Sequence, residues 1–275
     1  MRKILFYSLI SLGPWSSARA ASQETLTVRA IEWNLAWNSA PDTEWNARVI
    51  GAVSAAAKAR ADVIIFPEQF SGGRSLDNIL DGVRAAAGED RFVVLGNAPR
   101  RAMGEDHVVS RAYALSGGAW QAVDKLDPTP AELTAKPPVK AGARLPLFRF
   151  RGGVVAVLPS YSLQKTEIAA SLKKRAVQLV LVPVPAEDER GAARLSRAAA
   201  ARAVELGAAV VTAPPSPAAP SSYLPAQKGF DLAPQAPAGR DFRIPWKKIL
   251  DLRASPEGST EPRPFLEASY YQVEI

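Results

Sequence analysis

The sequence predicts an α/β layered fold, and three observations carry that prediction. Asn46 to Ala59 places Val49, Ile50, Val53, Ala56 and Ala57 at helical spacing. It runs into Ala61-Asp62-Val63-Ile64-Ile65-Phe66, whose four consecutive apolar residues read as a short strand buried on both faces. The same pairing of helix and apolar run returns twice, at Leu179 to Val184 and at Ala208 to Ala213. Helices feeding fully buried strands are the mark of helices layered on sheets. A chain of 275 residues with 47% hydrophobic residues has ample material for one such core.

The first element stands outside the fold. Arg2 and Lys3 precede the apolar run Ile4 to Leu12, and Ala18-Arg19-Ala20 has the small-x-small form of a cleavage site. The run is too short to span a bilayer. Residues 1–20 are therefore expected to be a signal peptide, Ala21 the mature start, and 21–275 a single exported domain, periplasmic or secreted, with no stable membrane span after cleavage. An uncleaved anchor is the rival reading.

Export bears on charge and on redox chemistry. The formal charge is +7; without Arg2, Lys3 and Arg19, 31 basic residues face 27 acidic ones, leaving +4. That is a mild excess and not a nucleic-acid footprint. The chain has no cysteine, which excludes disulfides and a thiolate nucleophile. Its single histidine, His107, leaves a Cys/His zinc site without ligands. No metal and no cofactor is expected.

Beyond the leader, Leu26 to Trp33 alternates and reads as a strand. Asn34 to Thr43 is a loop, and a helix runs from about Glu44 to Arg60. After the strand ending at Phe66, Ser71-Gly72-Gly73 breaks the chain before a helix from about Leu76 to Ala87. Arg91 to Asn97 is a strand. Val108 to Ser116 and Ala119 to Val123 flank Gly117-Gly118 and form a hairpin. Asp127 to Gly142 is a proline-rich loop. Leu147 to Arg151 and Val154 to Leu158 are strands around Gly152-Gly153, followed by a helix from about Lys165 to Val177. An alanine-rich helix covers Ala192 to Leu206. From Pro214 to Pro237 the Pro/Ala/Ser-rich composition predicts a long loop. The tail from Phe242 is weakly patterned and ends in the strand-like Ser269 to Ile275.

Three polar residues share one context. Glu68, Lys125 and Ser160 each sit at or just past the end of an apolar strand. Chemistry in open α/β sheets gathers at the carboxyl ends of strands. A carboxylate against an apolar strand end is a candidate general base with a raised pKa. An ordinary exposed loop acid is the alternative for Glu68.

In order and spacing these residues resemble the carbon–nitrogen hydrolase (nitrilase) superfamily, over roughly Leu26 to Pro214. Ala61-Asp62-Val63-Ile64-Ile65-Phe66-Pro67-Glu68 matches that family's strand ending in Pro-Glu. Lys125 follows a hairpin, and Glu132 stands seven residues on, where the family often has a second glutamate. Ala141-Gly142 with Leu147-Phe148 fits the approach to the nucleophile strand. Ser160-Tyr161-Ser162, with Glu167 beyond, lies on the family's Cys-Tyr-Asp…Glu pattern. Arg202-Ala203-Val204-Glu205 matches its Arg-Ala-x-Glu helix. With the secretory leader, the chain looks nearest in type to the periplasmic domain of apolipoprotein N-acyltransferase.

The resemblance implies a four-layer α-β-β-α sandwich and dimerisation through outer helices. It also implies a substrate that is a small amide, nitrile or acyl compound, with Tyr161 beside it. Glu68 would be the base, Lys125 would hold the oxyanion, and Glu132 would support them. The family nucleophile is a cysteine, and this chain has Ser160 there. A thiol has a pKa near about 8.5 and a carboxylate can take its proton. A serine hydroxyl is a far weaker acid, and no histidine relay is at hand. The pocket loops depart too, at Val184-Pro185-Ala186 and Ala213-Pro214-Pro215-Ser216.

Two functional readings follow. One is a catalytically impaired member that binds a ligand or a protein partner. The other is an active serine-dependent amidase, esterase or acyltransferase; losing a thiolate has an advantage in an oxidising compartment. A third possibility is that the match is fortuitous and the three residues share no site. The basic run Lys173-Lys174-Arg175 reads as a solvated helix face. Lys247-Lys248 beside Trp246 is a small cluster with the chemistry to touch an anionic membrane.

Overall fold

Two β-sheets stacked face to face form the middle of the molecule, and helices cover the outer face of each. The computed structural model describes residues 24–101, 107–186, 189–225, 241–254 and 270–274. The expected signal peptide at 1–20 and residues 226–237 of the expected long loop lie outside the described residues.

The first sheet grows from β1 (Leu26–Ala30), β2 (Val63–Ile65), β3 (Phe92–Arg101), β4 (Val108–Ser116), β5 (Ala119–Asp124) and β6 (Val139–Lys140). Between them run α1 (Asp42–Lys58), α2 (Leu80–Ala87) and α3 (Pro130–Thr134). The second sheet is built on β7 (Arg144–Phe150), β8 (Gly153–Val157), β9 (Leu179–Pro183), β10 (Ala209–Ala213) and β11 (Ser221–Tyr223). A 3-10 turn (Ser160–Gln164), α4 (Thr166–Lys174) and α5 (Glu189–Leu206) belong to this half. Then come β12 (Asp241–Ile244), α6 (Trp246–Ala254) and β13 (Tyr270–Glu274). Among the described residues the sheet orders are β12-β1-β2-β3-β4-β5, with β6 on β4, and β11-β10-β9-β8-β7-β13.

The layering follows from the pleat of a strand, which sends alternate side chains to opposite faces. Val63 and Ile65 of β2 join the core between the sheets. Ile64 and Phe66, one residue out of phase, join the core under α1 and α2. A four-residue apolar run is what a strand needs when both of its faces are covered. β8, β9 and β10 are likewise buried at every position. Their far face packs against Ile168, Ala169 and Leu172 of α4 and Leu195, Ala199 and Ala203 of α5. The result is an α-β-β-α sandwich, as expected.

The parallel runs β1-β2-β3 and β8-β9-β10 point their carboxyl ends to one side. The loops there are tied together. Ser216 N donates to Trp33 O at 2.9 Å, across the two sheets. Trp33 is buried against Trp37, Trp45, Phe66 and Phe70, with ring centroids 5.1 to 6.0 Å away. Each such pair contributes about 0.5–1.5 kcal/mol beyond area burial. The cluster pins the loops after β1 and β2 in place.

Four stretches differ from expectation. The proline-rich loop contains α3 and β6. The expected loop after Pro214 contains β11, which pairs with β10. The weakly patterned tail supplies β12, an edge strand on β1 that its pattern did not show, while β13 on β7 falls within the strand expected at Ser269 to Ile275. Trp246 is fully buried, with Nε1 donating to Arg151 O at 2.8 Å, so only Lys247 and Lys248 of that cluster face outward. Lys173, Lys174 and Arg175 are exposed at the end of α4, as a solvated helix face requires.

Candidate active site

Glu68 is placed by the end of β2. Pro67 stops the strand, and Glu68 follows with 1% of its surface exposed. Its N–H donates to Val184 O at 3.1 Å, and Val184 N–H donates to Ala213 O at 3.0 Å. The carboxyl ends of β2, β9 and β10 therefore meet at this point. Gly96 of β3 permits the approach: a Cβ there would stand 1.7 Å from Pro67 O. Gln69 adopts φ 60° and turns the chain outward directly after the glutamate.

Lys125 is placed by the end of β5. Its N–H donates to Ser110 O at 2.8 Å, and its carbonyl accepts from Gly142 N–H at 2.8 Å. Gly142 fits because it has no side chain; a Cβ would lie 2.8 Å from Asp124 Cβ. Lys125 is 1% exposed.

Glu132 arrives on α3, which the capping box of Thr129 builds. Thr129 Oγ1 accepts from Glu132 N–H at 3.2 Å, and Glu132 Oε2 accepts from Thr129 N–H at 2.6 Å. Pro130 occupies the first turn, where a missing N–H costs nothing. The Thr-x-x-Glu spacing with a proline was the signal for this helix inside a stretch read as loop.

The three side chains converge. Lys125 Nζ lies 3.2 Å from Glu68 Oε2, and 3.2 and 3.0 Å from the two oxygens of Glu132. Burial acts to lower the Lys125 pKa. The charges of Glu68 and Glu132 and their hydrogen bonds outweigh it and hold the ammonium above its ordinary value. Lys125 is thus a fixed cation between two carboxylates, one buried and one at the rim.

Ser160 opens the 3-10 turn after β8. Leu158 N–H donates to Leu181 O at 2.8 Å and Ser162 N–H to Pro159 O at 3.0 Å. That puts the start of the turn on the strand next to β9, whose end touches Glu68. The side chains of Ser160 and Tyr161 lie outside the described ones. Glu167 is exposed on the first turn of α4. Among the described residues, no group of three or more acidic or histidine side chains is placed to hold a metal ion.

A family model described as carbon–nitrogen hydrolase matches residues 26–217. The chain belongs to the carbon–nitrogen hydrolase family. The match spans the same stretch as the motif resemblance, and the solved structures agree with it at the level of fold. Nit3 of Saccharomyces cerevisiae, a member of branch 10 of the nitrilase superfamily, superposes with a TM-score of 0.69 at 15% identity, covering 86% of this chain and 96% of that one. An amidase from Nesterenkonia sp. gives 0.61 at 18% identity, covering 85% and 94%. A cysteine-to-serine mutant of the Nesterenkonia AN1 amidase gives 0.58 at 19% identity, covering 86% and 97%. No curated protein matches this carbon–nitrogen hydrolase family member in sequence. No helix among its described residues is long and apolar enough to cross a membrane.

Sequence reading missed three features of the site: α3, the close packing at Gly96, and the contacts of Arg202. The last join residues 38 and 39 positions apart; the Arg-Ala-x-Glu motif marks Arg202 but not its partners Leu163 and Gln164.

Proposed function

We propose that this carbon–nitrogen hydrolase family member is an exported, catalytically impaired protein that binds a small amide, nitrile or acyl ligand, or a protein partner. One observation carries the reading. The Glu68–Lys125–Glu132 cluster is complete, with Glu68 and Lys125 buried and Glu132 at the rim, while the chain has no cysteine to serve as nucleophile. Ser160 takes the nucleophile position of the motif. The Nesterenkonia cysteine-to-serine mutant shares the fold, which supports the compatibility of such an exchange with the architecture. In this site Lys125 Nζ would donate to a ligand carbonyl oxygen, and Glu68 would accept from a ligand N–H or from the Ser160 hydroxyl.

The retained ionic cluster favours a second reading, an active serine enzyme. Folding alone does not call for a buried ion pair, since apolar replacements are often as stable. Glu68 would take the Ser160 proton as Ser160 Oγ bonds to the acyl carbon. Lys125 would stabilise the oxyanion, and the amine or alcohol would leave with the proton returned by Glu68. Without a histidine between carboxylate and hydroxyl, this step is slow.

Intact-mass spectrometry of the wild type and of Ser160→Cys, each incubated with amides, nitriles and activated esters, separates the readings. The impaired-member reading expects an acyl adduct on Ser160→Cys and none on the wild type. Wild-type acylation abolished by Ser160→Ala establishes the serine enzyme instead.

A further inference from the structure

Arg202 and Glu205 lie on α5, and Arg202 reaches the 3-10 turn that follows β8. Arg202 Nε donates to Leu163 O at 2.9 Å, and Nη2 donates to Gln164 O at 3.2 Å. Nη1 pairs with the Glu205 carboxylate one turn along the helix. The two carbonyls are the last of the 3-10 turn that Ser160 begins. Carbonyls at a helix end have no partner within the helix. A cation there also meets the negative end of the backbone dipoles.

Leu163 anchors the turn in the core, but among its described side chains hydrogen bonds are few. Its first position is preceded by Pro159, which makes no side-chain cap. Ser162 Oγ and Gln164 Nε2 are buried with no hydrogen-bond partner. The Arg202 side chain, by contrast, is only 13% exposed. A guanidinium withdrawn that far from water needs its charge paired and its donors used. Glu205 pairs it, and the two carbonyls use the donors that face the turn.

We propose that Arg202, braced by Glu205, is a positioning residue that sets where Ser160 stands relative to Glu68 and Lys125. It grips the last residues of a five-residue turn whose first residue is Ser160. When that grip is lost, the turn is free to rotate and carry Ser160 away from the base. This inference rests on the reading of Ser160 as the nucleophile position.

The test uses acylation of the full-length Ser160→Cys protein by an activated acetyl ester. Intact mass is followed with time, from about pH 6 to pH 10, around the ordinary thiol value of about 8.5. Ser160→Cys is expected to acylate with a midpoint below that value and to lose the advantage when Glu68→Gln is added. Adding Arg202→Met should slow acylation about 10- to 100-fold and move the midpoint back toward 8.5. Arg202→Lys, which can still reach a carbonyl, should recover part of the rate. An unchanged rate and midpoint in Arg202→Met overturns the positioning role while leaving the site reading intact. A Glu68→Gln addition that changes nothing removes the site reading and this inference with it. Should Arg202→Met fail to fold, Glu205→Gln keeps the arginine but frees it. A rate for that variant within about twofold of Ser160→Cys, short of the loss expected from misplacement, overturns the proposal.

Discussion

Lys125 Nζ stands 3.2 Å from Glu68 Oε2, and both side chains are 1% exposed. The two residues come from the ends of β2 and β5, at opposite sides of β3 and β4 in the first sheet. Their contact, closed from the rim by Glu132, is the centre of the candidate site.

Removing one partner of a buried ion pair leaves the other charge without compensation. Lys125→Met is expected to destabilise the fold by about 3–5 kcal/mol. The double variant Lys125→Met/Glu68→Gln should recover part of that loss, because the stranded carboxylate is gone. Urea unfolding of the single and double variants checks both, and equal stability of the two would contradict the coupling.

The same pair implies a pH dependence with a definite sign. The folded-state pKa of Lys125 lies above its ordinary value of 10.5. The ammonium form is therefore favoured by folding. Its contribution is fully present below that value and is lost as pH rises through the folded pKa. Wild type should lose stability in the alkaline range more steeply than Lys125→Met does. Urea midpoints of both proteins, taken at rising alkaline pH, measure the difference.

Gly96 makes a separate prediction. A methyl group there would stand 1.7 Å from Pro67 O, a backbone atom that cannot swing aside. Gly96→Ala should cost about 3 kcal/mol or more, the upper end of overpacking. It should also push Glu68 from Lys125, so the Ser160→Cys/Gly96→Ala protein should acylate more slowly than Ser160→Cys alone. A folded variant with unchanged acylation would show that the close approach does not set the glutamate.

The cap on α3 is the fourth case. Thr129→Ala removes the hydroxyl that accepts from Glu132 N–H, at a cost of about 1 kcal/mol. Because α3 is a single short helix carrying Glu132, its amides should also exchange faster with solvent. Hydrogen exchange of Pro130–Thr134 compared with the rest of the chain reads this directly. Thr129→Ser, which keeps the acceptor, should behave as wild type.

Much of this architecture is legible residue by residue. Val63-Ile64-Ile65-Phe66 announces a doubly buried strand because each face of its pleat needs apolar cover. Gly117-Gly118 announces a hairpin, and both glycines adopt positive φ, 57° and 76°. Glu68, Lys125 and Ser160 stand out as polar residues at the ends of apolar runs. α3 was legible in principle through Thr129-Pro130-Ala131-Glu132, but the surrounding prolines read more strongly as loop.

Other features depend on contacts between distant parts of the chain. β12 pairs with β1 although Ile244 and Leu26 are far apart in sequence, and four residues are too few to show a period. The order of residues along the chain, through local periodicity and turn chemistry, settled the type of the long elements and the family motifs. Bringing Glu68, Lys125 and Glu132 within one ionic contact, and laying Arg202 on the Ser160 turn, required elements distant in sequence to pack within each half of the sandwich. Side-chain patterns report which face of an element is buried, whereas burial of a charge beside its partner is set by long-range packing that no short window of residues contains.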